Sequence, residues 1–598
     1  MQKNVKFIFL LLSLILSLTI VAGCRYKNVA HILAWLAHNP IADTAYGEVR
    51  GALVDNVWVW KGIPYAKPPL GDLRWKAPVD PDPWHGVRDA TTSCSPCSQQ
   101  VTDKFWRPAH GEFTGSEDCL YLDVYRPKTL ERGLPVFVWI HGGANIIGTA
   151  QLYNGVPLAK RGNMVVVVVQ YRLGMMGWLT HPALRNGTDD DNSGNYGTLD
   201  TMKALAWVQE NIAAFGGNPD RVTVGGQSAG GQHVMNLIIS PKAKVLFQRA
   251  FAESPALSSL MPPRLQTAGD AQANAIIDKL LIGDGLAADA ASAATYRAGM
   301  SDSDIAAYLR GKTAVTIMQA AIASSATGSM PVPTSFMDGV VMPATDWLTA
   351  INSGNFKKVP LIIGTTKYEF KDLMTLYASL LAMFHVPSSA PAYTWDDLYD
   401  VIEQTGTPTF NQVLPTASDQ FVYEYTGLMK SRQWQSECNT IARAIKTNDP
   451  ANTVYSYLFT WSGGGDPALV DFSKIFGASH AQDVPFFFGD ETDLFKGYSF
   501  TEANKEGRVA LQGAIMDYLT SFVKAGDTNP ACSTLPEWSQ WSNGAADPKF
   551  IKFDADLENY ILTMDAAEAT PAIVAAERAA YIGIGGPALN ALWAALGI

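Results

Sequence analysis

The sequence predicts an α/β fold in which a central, mostly parallel sheet is flanked by helices. Three observations predict it. Gly226-Gln227-Ser228-Ala229-Gly230 lies between an apolar β-type run, Val222-Thr223-Val224, and a helix-compatible run from Gln232 to Ile239. The fully apolar run Leu134 to Ile140 reads as a buried strand and breaks into His141-Gly142-Gly143-Ala144-Asn145. Glu369 and His480 each follow a later β-type run, Val359 to Ile363 and Val454 to Trp461. A G-x-S-x-G pentapeptide between strand and helix is a sharp turn that lifts the serine hydroxyl clear of the backbone. Ser228 and His480 stand 252 positions apart (480 − 228), yet a serine and its base must meet at one site. The 598 residues therefore read as one large domain with insertions rather than the several domains that length alone suggests.

From the N-terminus, Lys3 and Lys6 precede an apolar run from Phe7 to Val21 that ends in Val21-Ala22-Gly23-Cys24. A positive start, an apolar stretch and small residues before a cleavage point describe a signal peptide over residues 1–23. Small residues directly before a cysteine resemble a bacterial lipobox, so Cys24 is the expected lipidation site. The expected location is the cell envelope, on the outer-membrane or periplasmic side, with ordinary secretion as the alternative. Residues 24–45 read as a linker, and residues 46–598 as the folded domain. Val165 to Val169 is five valines, a central-strand signal. Thr198 to Phe215 has helical apolar spacing and stops at Gly216-Gly217. Residues 256–330, rich in Ala, Ser and Asp, read as a helical insertion over the site. Lys505 to Ala525 reads as a helix ended by Gly526 and Pro530. The tail after Asp565 is Ala-rich and helix-like to Ala579, before Gly583, Gly585 and Gly586.

The chemistry follows from the turns. A serine hydroxyl is a weak nucleophile and needs a base, which in turn needs an orienting acid. Ser228, Glu369 and His480 occur in the order serine, acid, histidine that this kind of turn accompanies. The N–H groups of Gly143, Ala144 and Ala229 are placed to converge on a developing oxyanion.

At these residues the chain resembles the type B carboxylesterases, the α/β-hydrolase family that includes cholinesterases and para-nitrobenzyl esterases. The resemblance spans about residues 46 to 560. It also rests on Lys61-Gly62-Ile63-Pro64-Tyr65-Ala66, Glu117-Asp118-Cys119-Leu120-Tyr121-Leu122, Tyr171-Arg172-Leu173-Gly174 and Phe215-Gly216-Gly217-Asn218-Pro219. It implies that Ser228 is the nucleophile, His480 the base and Glu369 the acid, with Asp372 the rival acid. It implies a small-molecule ester as substrate and no metal or cofactor. It also implies a Cys97–Cys119 disulfide, for which Cys94 is the rival partner. Three departures stand out. Gln227 replaces the family's usual Glu before the nucleophile. Ala144-Asn145 replaces a glycine and an aromatic in the oxyanion turn. Gln232-His233 replaces small residues after the elbow. Ala144 keeps its N–H, while its methyl group narrows the space beside the leaving alcohol.

Other classes fare worse. The net charge is −11, and −13 without residues 1–23, which carry Lys3 and Lys6 and no acid. That disfavours nucleic acid and anionic membrane surfaces as partners. No dinucleotide-binding, phosphate-loop or zinc-ligand spacing is present. An amidase, or a hydrolase of a xenobiotic or polyester, would share the same three residues. A non-catalytic binding module of this fold would typically lack the serine or the histidine. His233 reads as a packed helix histidine, Asp189-Asp190-Asp191 as a solvated loop and Trp106 as loop packing. The sequence leaves a Cys438–Cys532 pairing open.

Overall fold

The computed structural model describes residues 40–102, 108–257, 261–326, 328–376, 409–414, 416–491, 499–531 and 534–595. Eleven strands form one sheet: β1 (Ala52–Val54), β2 (Val57–Pro64), β3 (Tyr121–Pro127), β4 (Leu134–Ile140), β5 (Val165–Val169), β6 (Gly217–Gln227), β7 (Arg249–Glu253), β8 (Leu361–Thr366), β9 (Val454–Phe459), β10 (Phe550–Ala555) and β11 (Tyr560–Asp565). Their spatial order is β11-β10-β9-β8-β7-β6-β4-β5-β3-β2-β1. The seven strands from β5 to β10 in that order are parallel, and antiparallel strands flank them at both edges.

Every residue of β4 and β5 is buried, as expected for parallel strands covered on both faces. The strand period of two divides their side chains between two cores. Val136, Val138, Ile140, Val165, Val167 and Val169 join the core on one face. Phe137, Trp139, Val166 and Val168 join the other. The first core is closed by α1 (Tyr196–Asn211) and α2 (Ala229–Ile239), through Leu205, Val208, Val234 and Leu237.

Four helices, α3 (Gln266–Gly283), α4 (Ala290–Ala298), α5 (Asp302–Arg310) and α6 (Ala314–Ser324), make up the expected insertion. They carry a third apolar cluster, which also takes in Trp75, Met175 and Met176. The side chains of Asp289, Ser301 and Thr313 cap α4, α5 and α6, satisfying N–H groups that have no partner inside the helix. α7 (Ala417–Asn448) packs against β8 and against the C-terminal helix. α8 (Lys505–Ala525) ends at Gly526 (φ 78°), as its sequence predicts, and closes the second core through Leu511, Ile515, Leu519 and Phe522.

Some boundaries differ from expectation. α1 begins at Tyr196 and gives way at Ile212 to a 3₁₀ turn. α2 begins at Ala229, directly after the serine. β8 continues through Gly364 to Thr366. The tail helix, α9, runs from Pro571 to Ala595 rather than stopping near Ala579. Arg432 of α7 pairs with Glu577, and Tyr425 stacks on Tyr581 at 4.3 Å, so tertiary packing carries this helix towards its glycines.

Cys97 and Cys119 are disulfide-bonded, and Cys94 and Cys438 are free thiols. Cys24, Trp106 and Cys532 lie outside the described residues. Among the described residues no helix is long and apolar enough to cross a membrane.

Candidate active site

The elbow forms where β6 meets α2. Ser228 sits there with φ 58° and ψ −121°, a region that costs an L-residue about 1–3 kcal/mol and persists only where surroundings enforce it. The enforcement is visible. Ser228 N–H donates to Glu253 O at 2.9 Å, and Ser228 O accepts from Gln232 N–H at 2.9 Å. Gly230 is obligatory for a different reason. A Cβ there would stand 2.0 Å from Ile140 O, so only glycine lets the helix start lie against the end of β4.

The turn after β4 lies beside the elbow. A Cβ added to Gly142 would come within 3.0 Å of Ser228 Cβ. Gly143, Ala144 and Asn145 follow with φ 103°, 53° and 60°, three successive left-handed residues. Among the described residues the N–H groups of Gly143 and Ala144 have no acceptor, and Ala229 N–H is a first-turn helix donor.

Glu369 is fully buried just beyond β8. Its Oε1 accepts from Ser254 Oγ at 2.5 Å and from Thr366 N–H at 2.6 Å, and its Oε2 lies 2.5 Å from His480 Nδ1. A carboxylate can only accept, so Nδ1 carries the proton and Nε2 is left as an acceptor. Asp372 Oδ1 accepts from the His480 backbone N–H at 3.3 Å, whereas the ring nitrogen is held by Glu369. Tyr368 N–H donates to Ala478 O at 2.9 Å, which ties the Glu369 segment to the His480 segment. The Trp434 indole packs on the imidazole with centroids 4.9 Å apart, and its N–H is anchored on Pro255 O at 2.7 Å.

His480 Nε2 faces Gln227 Nε2 at 3.0 Å. Among the described residues no hydrogen bond joins Ser228 Oγ to His480; such bonds often tighten only when substrate is present. Burial pulls the imidazole's proton affinity down. The carboxylates of Glu369, Asp372 and Asp483 outweigh that and raise its pKa above the usual value of 6.5. Burial pushes the Asp372 carboxyl up to about 7.

A second carboxyl pair lies nearby. Glu253 and Asp483 are both fully buried, and Tyr457 OH donates to Asp483 Oδ2 at 2.9 Å. Among the described residues no side chain hydrogen-bonds to either carboxyl oxygen of Glu253. Burial, followed by repulsion from Asp483, raises Glu253 well above the carboxylate range, and burial pushes Asp483 up to about 6.

The structure thus gathers Ser228, Glu369, His480, Gly143, Ala144 and Ala229 at one end of the parallel strands. The sequence reading missed Ser254, Trp434, Glu253 and Asp483. The Glu253-Ser254 pair at the end of the short strand β7 was the signal for these two, and nothing marked Trp434 or Asp483. His233 is buried within the protein, as expected. Asp190 pairs with Lys242, and Asp191 accepts from Ala77 and Thr188 N–H groups, so this loop is occupied by structural contacts. Among the described residues no cluster of His, Cys, Asp or Glu is arranged to hold a metal ion.

Comparison with known proteins adds the following. Human cocaine esterase is 32% identical over 536 residues, covering 84% of this chain and 86% of its own. Rat carboxylesterase 1C is 38% identical over 535 residues, covering 84% and 88%. The para-nitrobenzyl esterase of Bacillus subtilis is 31% identical over 531 residues, covering 87% and 96%. A solved para-nitrobenzyl (PNB) esterase superposes with a TM-score of 0.65 at 28% identity, over 91% of this chain and 99% of its own. A Geobacillus stearothermophilus carboxylesterase does so with a TM-score of 0.65 at 27% identity, over 90% and 99%. The sequence profile of the carboxylesterase family matches residues 38–569, which takes in the sheet from its first strand to its last. The chain therefore belongs to the carboxylesterase family and is a carboxylic ester hydrolase.

Proposed function

We propose that this chain hydrolyses small carboxylic esters through a Ser228–His480–Glu369 triad and an acyl-enzyme. One observation carries the reading. The imidazole clamped at 2.5 Å by the buried Glu369 carboxylate has its other nitrogen 3.0 Å from the side-chain amide of Gln227, the residue that precedes Ser228 in the strained elbow. His480 Nε2 takes the Ser228 proton as Oγ bonds to the ester carbon and the carbonyl π pair moves onto oxygen. The N–H groups of Gly143, Ala144 and Ala229 hold that oxyanion; losing one such donor typically costs about 3–4 kcal/mol. When the intermediate collapses, the C–O bond to the alcohol breaks and His480 returns the proton to the leaving oxygen. Water then repeats the cycle on the acyl-enzyme. Glu369 fixes the tautomer and offsets the imidazolium charge, and Ser254 and Thr366 fix Glu369.

The Ala144 methyl group favours esters of slim alcohols. Residues 46–598 form the hydrolase unit, and residues 1–23 direct export. Ser228→Ala should fold normally and lose nearly all esterase activity, leaving a residue of about 10³-fold over water. An organophosphate should label Ser228 in the native protein. Labelling of a different serine, or an active Ser228→Ala, defeats the reading. A panel of p-nitrophenyl esters of rising chain length defines the acyl preference.

A further inference from the structure

Three of the residues by which the oxyanion turn and the elbow helix depart from the family, Asn145, Gln232 and His233, are linked through Asn145. Asn145 Oδ1 lies 3.2 Å from His233 Nε2. Asn145 Nδ2 donates to Gln232 Oε1 at 3.4 Å and to Pro333 O at 3.2 Å. Gln232 Nε2 in turn donates to Met261 O at 2.8 Å. All three side chains are buried, at 1% exposure or less. The Asn145 backbone is held as well, its carbonyl accepting from Gly174 N–H at 2.7 Å.

His233 is fixed from several sides. Its ring packs against Tyr171, with centroids 4.6 Å apart, and against Trp178, at 5.5 Å. Tyr171 also stacks on His141, the residue that opens the oxyanion turn, and its hydroxyl donates to His141 O at 2.8 Å. Among the described residues His233 Nδ1 has no partner, which puts the ring proton on Nε2 and makes Asn145 Oδ1 its acceptor. Burial, with His141 close by, pushes the His233 pKa down to about 3, so the ring stays neutral at working pH.

The turn needs such support. Ala144 and Asn145 carry Cβ atoms in left-handed conformations that disfavour L-residues. Gly143 cannot relax toward them, because its own carbonyl already accepts from Ile146 and Ile147 N–H groups, each at 3.0 Å. A side chain at 145 tied to the elbow helix makes the two donor segments one rigid unit. The spacing between the 143–144 donors and Ala229 N–H, which begins that same helix, is then set by side-chain hydrogen bonds.

We propose that Asn145 is a positioning residue, held by His233 and Gln232, that locks the Gly143–Ala144 turn to the elbow helix and so fixes the oxyanion donors relative to Ser228. The proposal rests on the catalytic reading above and extends it. It assigns a shared task to three residues, Asn145, Gln232 and His233, from two departures that otherwise look unrelated. A local misplacement of donors by a fraction of an ångström weakens the tetrahedral intermediate more than the ground state, because the developing charge sits on the oxyanion.

The test is Asn145→Gly. Glycine accepts φ 60° without strain, so the variant keeps the backbone and loses only the side-chain ties. With a p-nitrophenyl ester, kcat should fall about tenfold while KM stays within about threefold. Affinity for a trifluoromethyl ketone, which forms a tetrahedral adduct on the serine, should fall by the same factor as kcat/KM. His233→Leu should reproduce the loss, His233→Gln should recover most of it by restoring an N–H donor, and Asn145→Gly/His233→Leu should be no worse than the weaker single variant. A kcat loss under fivefold in Asn145→Gly, or additive losses in the double variant, overturns the proposal. Ser228→Ala, run in parallel, separates the two failures. If it is inactive while Asn145→Gly matches wild type, only the positioning role falls; if it is active, the catalytic reading falls with it.

Discussion

At His480 two opposed effects set the proton affinity of one ring. Burial favours the neutral imidazole, and three carboxylates favour the cation and prevail. Catalysis needs the neutral form, so kcat/KM should fall as pH drops through a value above the usual 6.5. Gln227 bears directly on that limb. Its amide faces Nε2 and contributes no charge. Gln227→Glu would place a carboxylate there, stabilise the imidazolium and move the acid limb upward by about one pH unit or more. An unmoved limb would mean that residue 227 does not face the ring. Glu253 gives a second titration with a different readout. Its folded pKa lies well above the unfolded value, so the neutral acid stabilises the protein at low pH. That stability drains away as pH rises from about 4.3 through the folded value. Glu253→Gln, which cannot ionise, should match the wild-type Tm at pH 5 and exceed it at pH 9. Equal Tm differences at both values would show that Glu253 is not held neutral.

At the scale of elements, legibility tracked burial. β4 and β5 were readable because both faces are covered, so their residues form unbroken apolar runs. In β8 the apolar run was read only to Ile363, one residue short of Gly364. A Cβ at that position would meet the Tyr457 ring at 2.1 Å, so the glycine serves a neighbouring strand that local sequence does not reveal. Of the proposed triad, Ser228 and Glu369 stand at or just beyond strand ends in turns of distinctive composition, whereas His480 lies in a turn well past the end of β9. Ser254, Trp434 and Asp483 were not readable, since their partners come from segments far away in the chain. α9 shows the same limit, where packing on α7 outweighs the glycines that signalled an end. The junction of β4 and α2 allows a direct test. Gly230→Ala drives a methyl group into Ile140 O and must push the elbow from the oxyanion turn. A shift near 1 Å would lower kcat about a hundredfold. Wild-type kcat in Gly230→Ala would mean that the elbow has slack that the geometry denies it.

For the whole molecule, the question is where this acidic hydrolase works. A net charge of −11 disfavours electrostatic attraction to anionic lipid surfaces, and a covalent anchor would hold the protein at a membrane without it. The motif for one is Val21-Ala22-Gly23-Cys24 after Lys3, Lys6 and an apolar run, within residues 1–39, which lie outside the described residues. Among the described residues no helix offers a membrane span as a substitute. A single acyl chain anchors only marginally, whereas the several chains of a lipoprotein-type cysteine hold firmly. The disulfide Cys97–Cys119 fits an oxidising compartment outside the cytosol. The expectation is therefore concrete. Full-length protein should label with palmitate and partition into detergent, with Cys24 as its mature N-terminus. Cys24→Ser should leave a heavier precursor retained by its apolar segment. Protein beginning at Asn28 should partition into water and keep full kcat, because every residue assigned a catalytic task lies beyond residue 140. A mature N-terminus elsewhere, or one free of lipid mass, would reduce the segment to an export signal and leave the triad chemistry untouched.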